Sequence, residues 1–238
     1  MEALSKNSWS VSFLLLLIAA DISFIGLDIL RSWGYAGDPR FSLGAERGYA
    51  EVYQYVKFFW IAVILSWFAV EKREGLYVVG ALLFFYLLLD DSLEIHETVG
   101  ASIVDVLDIQ PALGLRGHDY GELAVSALAG TLFLLSGWVA YRHSGSLARR
   151  IGMCLLLGVF TLAIFGIGAD MAHQFLGSRF SWTETPLVVL EDGGELIVAS
   201  AICWFVYSSA EQELPFLEVH SPIQPHHRSA SRETSKEA

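Results

Sequence analysis

Cysteine and basic side chains are scarce in this sequence. Its two cysteines, Cys154 and Cys203, both fall inside apolar stretches. Neither their number nor their spacing suits a disulfide framework or a thiolate zinc site, so both read as small buried apolar residues. Lysine and arginine total 15 against 26 aspartates and glutamates, a formal net charge of −11. A nucleic-acid surface needs a clustered basic face, so nucleic acid is not expected as a partner. Charged residues of both signs make up 17% of the chain, where a soluble domain carries about 25%. Nucleophile motifs, phosphate loops and dinucleotide fingerprints are lacking too, so no motif names a substrate.

What the sequence has instead is long apolar blocks. Hydrophobic residues account for 54% of the 238 positions, gathered into six candidate spans of about 20 residues, the length a helix needs to cross a bilayer. They cover residues 11–30, 53–70, 76–95, 122–141, 151–175 and 187–207. The expected fold is therefore all-α, a polytopic integral membrane bundle of about six transmembrane helices with the lipid bilayer as its main partner. One membrane domain takes up residues 1–210. Residues 211–238 form a polar tail with Pro215, Pro222 and Pro225, a composition that does not bury a core. Lys6 followed by residues 13–20 has the outline of a signal peptide. The apolar run continues through residues 22–30, so a retained first helix is expected.

Short connections imply helices that alternate up and down. With the N-terminus inside, the inner side holds Lys6, Lys72, Arg73, Arg142, Arg149, Arg150, Arg228, Arg232 and Lys236. The outer side then holds Arg31, Arg40, Arg47, Arg116 and Arg179. The positive-inside rule accordingly puts both termini in the cytoplasm, in the cell membrane.

Acidic and histidine side chains interrupt or edge the apolar blocks, where a charge is costly and usually functional. They are Asp21 and Asp28, the run from Asp90 through Asp91, Glu94 and His96 to Glu97, then His118 and Asp119, Asp170 and His173, and Glu191, Asp192 and Glu195. With alternating helices all of them fall in one half of the membrane, the outer half if the N-terminus is inside. In a continuous helix Asp90, Glu94 and Glu97 lie within about 60° of one another. Asp170 and His173 are i, i+3 neighbours, and Glu191 and Glu195 are i, i+4 neighbours. Gly193 and Gly194 permit close backbone approach or local unwinding of the last helix.

Several carboxylates do not stay ionised together in a low-dielectric pocket without a cation or protons, and lysine and arginine partners are scarce, with Lys57 and Arg31 the placed ones. The expected cofactor is a divalent metal ion. Oxygen ligands with one or two imidazoles suit Mn, Fe, Ca or Mg, with Zn as a further option. The expected ligands are Asp90, Glu94, His96, Glu97, Asp170, His173, Glu191 and Glu195, with Glu94, His173 and Asp21 in catalytic roles. Di-metal carboxylate bundles place acids and a Glu-x-x-His pair on four helices. Asp170 and His173 match that spacing, and a second such pair is lacking.

The leading functional reading is a metal-dependent membrane enzyme, a hydrolase or an oxidoreductase, acting on a lipid-like or small hydrophobic substrate. A proton- or cation-coupled transporter uses the same buried acids as carriers. A structural or assembly subunit would use them to hold a cation or meet a partner. A haem site on His96 and His173 is the least favoured, since carboxylates would surround it.

Overall fold

The computed structural model describes residues 2–111, 116–169, 171 and 184–213, with side chains from Trp9 onward in the first helix and from Pro186 onward in the last. Helices account for the ordered elements: α1 Glu2–Ser32, α2 Tyr49–Lys72, α3 Gly75–Leu93, α4 Ile95–Leu107, α5 Gly117–His143, α6 Ser146–Ala163 and α7 Glu184–Glu213. One short 3₁₀ turn, Pro39–Phe41, lies between α1 and α2. The end of α6 widens into a π-helical winding over Ile164–Ala169. The chain is all-α, as its composition implies.

Among the described residues five helices are long and apolar enough to cross a membrane: Trp9–Ser32, Tyr49–Lys72, Gly75–Leu93, Gly117–His143 and Ser146–Ala169. They mark the chain as a membrane protein. The sixth candidate span, residues 187–207, lies within α7, which is the hub of the bundle. Its Leu196, Ala199, Ser200, Ile202, Cys203, Val206 and Ala210 are all buried, and it packs against α1, α2 and α6. Around it Phe58, Ile61, Leu65 and Phe68 of α2 and Tyr77 and Phe84 of α3 complete the core. Packing fixes the helices here, because in lipid each helix already satisfies its own backbone hydrogen bonds.

The third span does not run as one helix to residue 95. It stops at Leu93, and Glu94 takes left-handed backbone angles (φ 52°, ψ 44°), after which α4 starts at once. The carboxylate of Asp90 is the local reason. Its Oδ1 accepts the backbone N–H of His96 at 3.0 Å, satisfying one of the orphan donors of the new helix. The continuous stripe of Asp90, Glu94 and Glu97 expected from helical spacing is therefore broken, and Glu94 is the hinge.

The helix α4 had no counterpart among the candidate spans. It folds against the start of α5, where Gly100 and Gly121 meet backbone to backbone. A Cβ at Gly100 would lie 2.7 Å from the Glu122 nitrogen, so neither position has room for a side chain. Beyond that crossing α5 leaves the bundle. Its buried residues are Gly117, Asp119 and Gly121, all in its first turns, and it leans on α3 and α4.

At one end of the bundle the turns are tight. Two residues join α2 to α3 and two join α5 to α6. Lys72 Nζ donates to the Glu213 carbonyl at 2.9 Å, and Glu74 Oε1 accepts from the Gly145 N–H at 3.1 Å. At the other end the connections are long, and the acids are there.

Candidate functional site

The loose end of the bundle holds a half-open cavity of about 640 Å³. The first turns of α2 supply Glu51 and Gln54, the end of α3 supplies Asp90 and Asp91, and α4 supplies His96 and Glu97. From α5 come His118 and Glu122, and from α7 come Glu191, Asp192 and Glu195. Arg116 is the one arginine or lysine among the described lining residues, and it binds Asp119 at 2.8 Å. Helix ends from both directions thus bring carboxylates to one place, as alternation of the helices requires.

The tightest grouping is Asp90, Asp91 and His96, which can each offer a ligand atom within 4.8 Å of the others. Asp90 is buried, and its Oδ2 lies 3.1 Å from His96 Nδ1. That hydrogen bond, aided by the nearby Asp91 and Glu97 charges and opposed by burial, pushes His96 up to about 9. Burial holds the Glu97 carboxyl above its ordinary range. The hinge that breaks the helix is what brings His96 back onto Asp90. In an unbroken helix the two would point about 120° apart, at six residues' separation.

Across the cavity, Gln54 Nε2 donates to Glu195 Oε2 at 2.9 Å. Glu195 is seated by two glycines. A Cβ at Gly166, in the π-helical winding, would collide with Glu195 Oε1, and one at Gly194 would collide with the Phe165 ring. Both glycines let α6 and α7 approach, and α7 stays helical throughout, so close approach rather than unwinding is the outcome for Gly194. A π winding inserted in a helix is costly and recurs at functional sites. On α5, His118 Nε2 lies 3.1 Å from Glu122 Oε1.

Asp90, His96, Glu97, Glu191 and Glu195 are thus brought together. Glu94 is not among the described residues lining the cavity, and its Oε1 is 2.7 Å from Arg47 Nη2. Asp21 is elsewhere, fully buried beside Lys57, with Lys57 Nζ 2.7 Å from Asp21 Oδ1 and 2.8 Å from the Leu196 carbonyl. Asp28 holds the loop after α1, accepting from the Leu43 N–H at 3.3 Å and the Ser42 hydroxyl at 3.2 Å. Asp170 and His173 lie outside the described residues.

Sequence reasoning did not include Asp91, Asp192, Glu122, Glu51 and Gln54 in the site. Asp91 and Asp192 are direct neighbours of chosen residues and line the same cavity. Glu122 carried a signal, since it lies one helical turn after His118. Glu51 and Gln54 resemble an ordinary polar helix start.

A family model described as "Domain of unknown function (DUF8692)" matches residues 8–210, and the chain belongs to that family. No curated protein and no solved structure matches it.

Proposed function

We propose that the protein is a metal-dependent membrane enzyme whose cation sits on Asp90, Asp91 and His96 and whose substrate is lipid-like. The observation that carries this reading is the meeting of those three groups in a cavity with Glu195, Glu191 and Asp192 on the facing helix. So many carboxylates around one space repel one another, and a divalent cation relieves that repulsion. Two carboxylates and an imidazole suit Mn, Fe or Zn best, with Ca and Mg as oxygen-preferring options. A cation there would polarise a substrate oxygen or a water, and Glu195, held by Gln54, is placed to take up a proton.

The location supports a lipid-like substrate, since the cavity is formed by the ends of membrane-crossing helices and also has apolar walls. Lys72, Arg73, Arg142, Arg149 and Arg150 lie at the opposite end, which supports a cytoplasmic position for that end and an outward-facing cavity.

The test is metal analysis of the full chain purified in mild detergent, comparing wild type with Asp91→Asn and His96→Ala. A stoichiometric metal in the wild type, lost in both variants, is expected. A wild type that stays metal-free after incubation with each candidate ion would overturn the proposal. One observation favours a second reading, cation- or proton-coupled transport: Lys57 and Asp21 carry the polar layer one helical turn deeper than Gln54 and Glu195. Transport predicts that ion flux into reconstituted vesicles is lost in Asp21→Asn, while the enzyme reading predicts no flux in either protein.

A further inference from the structure

The acid groups occupy only the outer part of the cavity. From Glu122 to Gly130 along α5 is eight residues, and from Gly166 back to Val159 along α6 is seven. At the helical rise these are about 12 and 10 Å along the helices, away from the acids. Over that length the walls change character. Leu87 of α3, Ser126 and Gly130 of α5, and Val159 and Leu162 of α6 replace the carboxylates, with Phe58 behind them.

Beside this inner part runs a seam between α5 and α6. A two-residue turn joins α5 to α6, and Arg149 Nε ties α6 to the Tyr141 carbonyl at 2.9 Å there. Beyond the turn the two helices have little contact, because α5 leans on α3 and α4 while α6 packs on α7. Gly130 lines the cavity, and a Cβ there would meet nothing within 4 Å, so α5 stands clear of α6 at this level. The outer faces of the two helices carry exposed apolar side chains, with Leu128 63% and Phe160 64% exposed.

From this arrangement we infer that the cavity is a bipartite lipid site. It takes an amphiphile with one slim aliphatic chain, the chain lying between α5 and α6 and a hydroxyl- or carbonyl-bearing head reaching Asp90, Asp91 and His96. The inference rests on the proposed metal site for the head and on separate residues for the chain. The occupant follows from continuity. The apolar slot opens on the bilayer at one side and on the carboxylates at its end, and a wholly polar or wholly apolar molecule would leave one part unmatched. Entry is lateral, through the α5–α6 seam, so the chain never leaves hydrocarbon.

The probe is a long-chain primary alcohol carrying a diazirine on its chain, photolysed with the full-length protein in mild detergent and mapped by peptide mass spectrometry. Labelling is expected to concentrate on residues 126–130 and 159–163. Gly130→Trp fills the slot and is expected to lose that labelling while keeping its metal. Gly137→Trp, on the same helix with open space around it and outside the cavity lining, is expected to keep both. Val159→Trp serves the same purpose as Gly130→Trp should that variant fail to elute as a monodisperse peak. Labelling spread evenly over the outer faces of α5 and α6, or unchanged by the plug, would overturn the slot even if the metal is present. Labelling that concentrates in the slot and is lost on plugging, in a protein without metal, would sink the metal site and keep the slot.

Discussion

Two groups of acids enter the helices of this bundle, and they are handled in opposite ways. Asp21, in the middle of α1, is fully buried and has its cation. Lys57 contacts it at 2.7 Å, also binds the Leu196 carbonyl, and lies 4.4 Å from the centre of the Tyr53 ring. Asp90 and Asp91, by contrast, share a cavity with seven further carboxylates (Glu46, Glu51, Glu97, Glu122, Glu191, Asp192, Glu195), with His96 and His118 as imidazoles and Arg116 as the guanidinium among the described lining residues. The first arrangement ties three helices together. The second gathers acids of one sign around a half-open cavity that a cation from outside can enter. Depth in the membrane alone therefore does not separate structural from functional acids here. The setting does: a buried ion pair for Asp21, an open cavity for the others.

The largest effect should come from breaking the closed pair. Lys57→Met leaves Asp21 buried without its cation, and removing one partner of a buried pair costs about 3–5 kcal/mol. The expected result is a large fall in the thermal transition measured in detergent. Asp21→Leu combined with Lys57→Met should restore most of the loss, because an apolar pair of similar volume is tolerated. A double variant as unstable as the single would mean that Lys57 acts through the Leu196 carbonyl and not through Asp21. Metal content should be retained by the double variant, which keeps the two groups of acids distinct.

How far this contrast could be read from the sequence depended on the scale of the feature. The apolar blocks state the all-α membrane fold outright, because a span of about 20 apolar residues has few other uses. The gathering of acids at one end follows from alternation of the helices and needs no side-chain detail. The hinge at Glu94 was not legible. Nothing in the run from Asp90 to Glu97 signals a left-handed residue, which glycine or asparagine ordinarily supplies. Missing it sent Glu94 into the site. The Asp21–Lys57 pair was half legible, since both residues were visible as buried charges, but their contact joins positions 36 residues apart.

A smaller effect is expected where α4 crosses α5, the contact that hangs His96 and Glu97 over the cavity. Gly121→Val places methyl groups into the Gly100 backbone, and overpacking of this kind costs about 1–3 kcal/mol. Because α4 is held mainly by this crossing and by Asp90, its displacement should weaken metal binding along with stability. Gly137→Val, further along the same helix with nothing nearby, should change neither. Hydrogen exchange of the α4 amides would check the mechanism: faster exchange in Gly121→Val, confined to residues 95–107, is expected, and an unchanged pattern would detach α4 from the crossing.

The smallest expected effect has the opposite sign and sharpens the contrast most. Asp91 faces Asp90, Glu51 and Glu195 around the cavity, so in metal-free protein its charge is surrounded mainly by charges of its own sign. Asp91→Asn keeps the side chain's shape and removes that repulsion. The metal-free variant should be as stable as the metal-free wild type or more stable, by on the order of 1 kcal/mol, while losing the metal. Addition of metal should then raise the transition temperature of the wild type and leave the variant unmoved, since a ligand stabilises only a chain that binds it. If Asp91→Asn instead destabilised the metal-free protein as Lys57→Met is expected to, Asp91 would belong with Asp21 among the paired, structural acids, and the division between the two groups would fail.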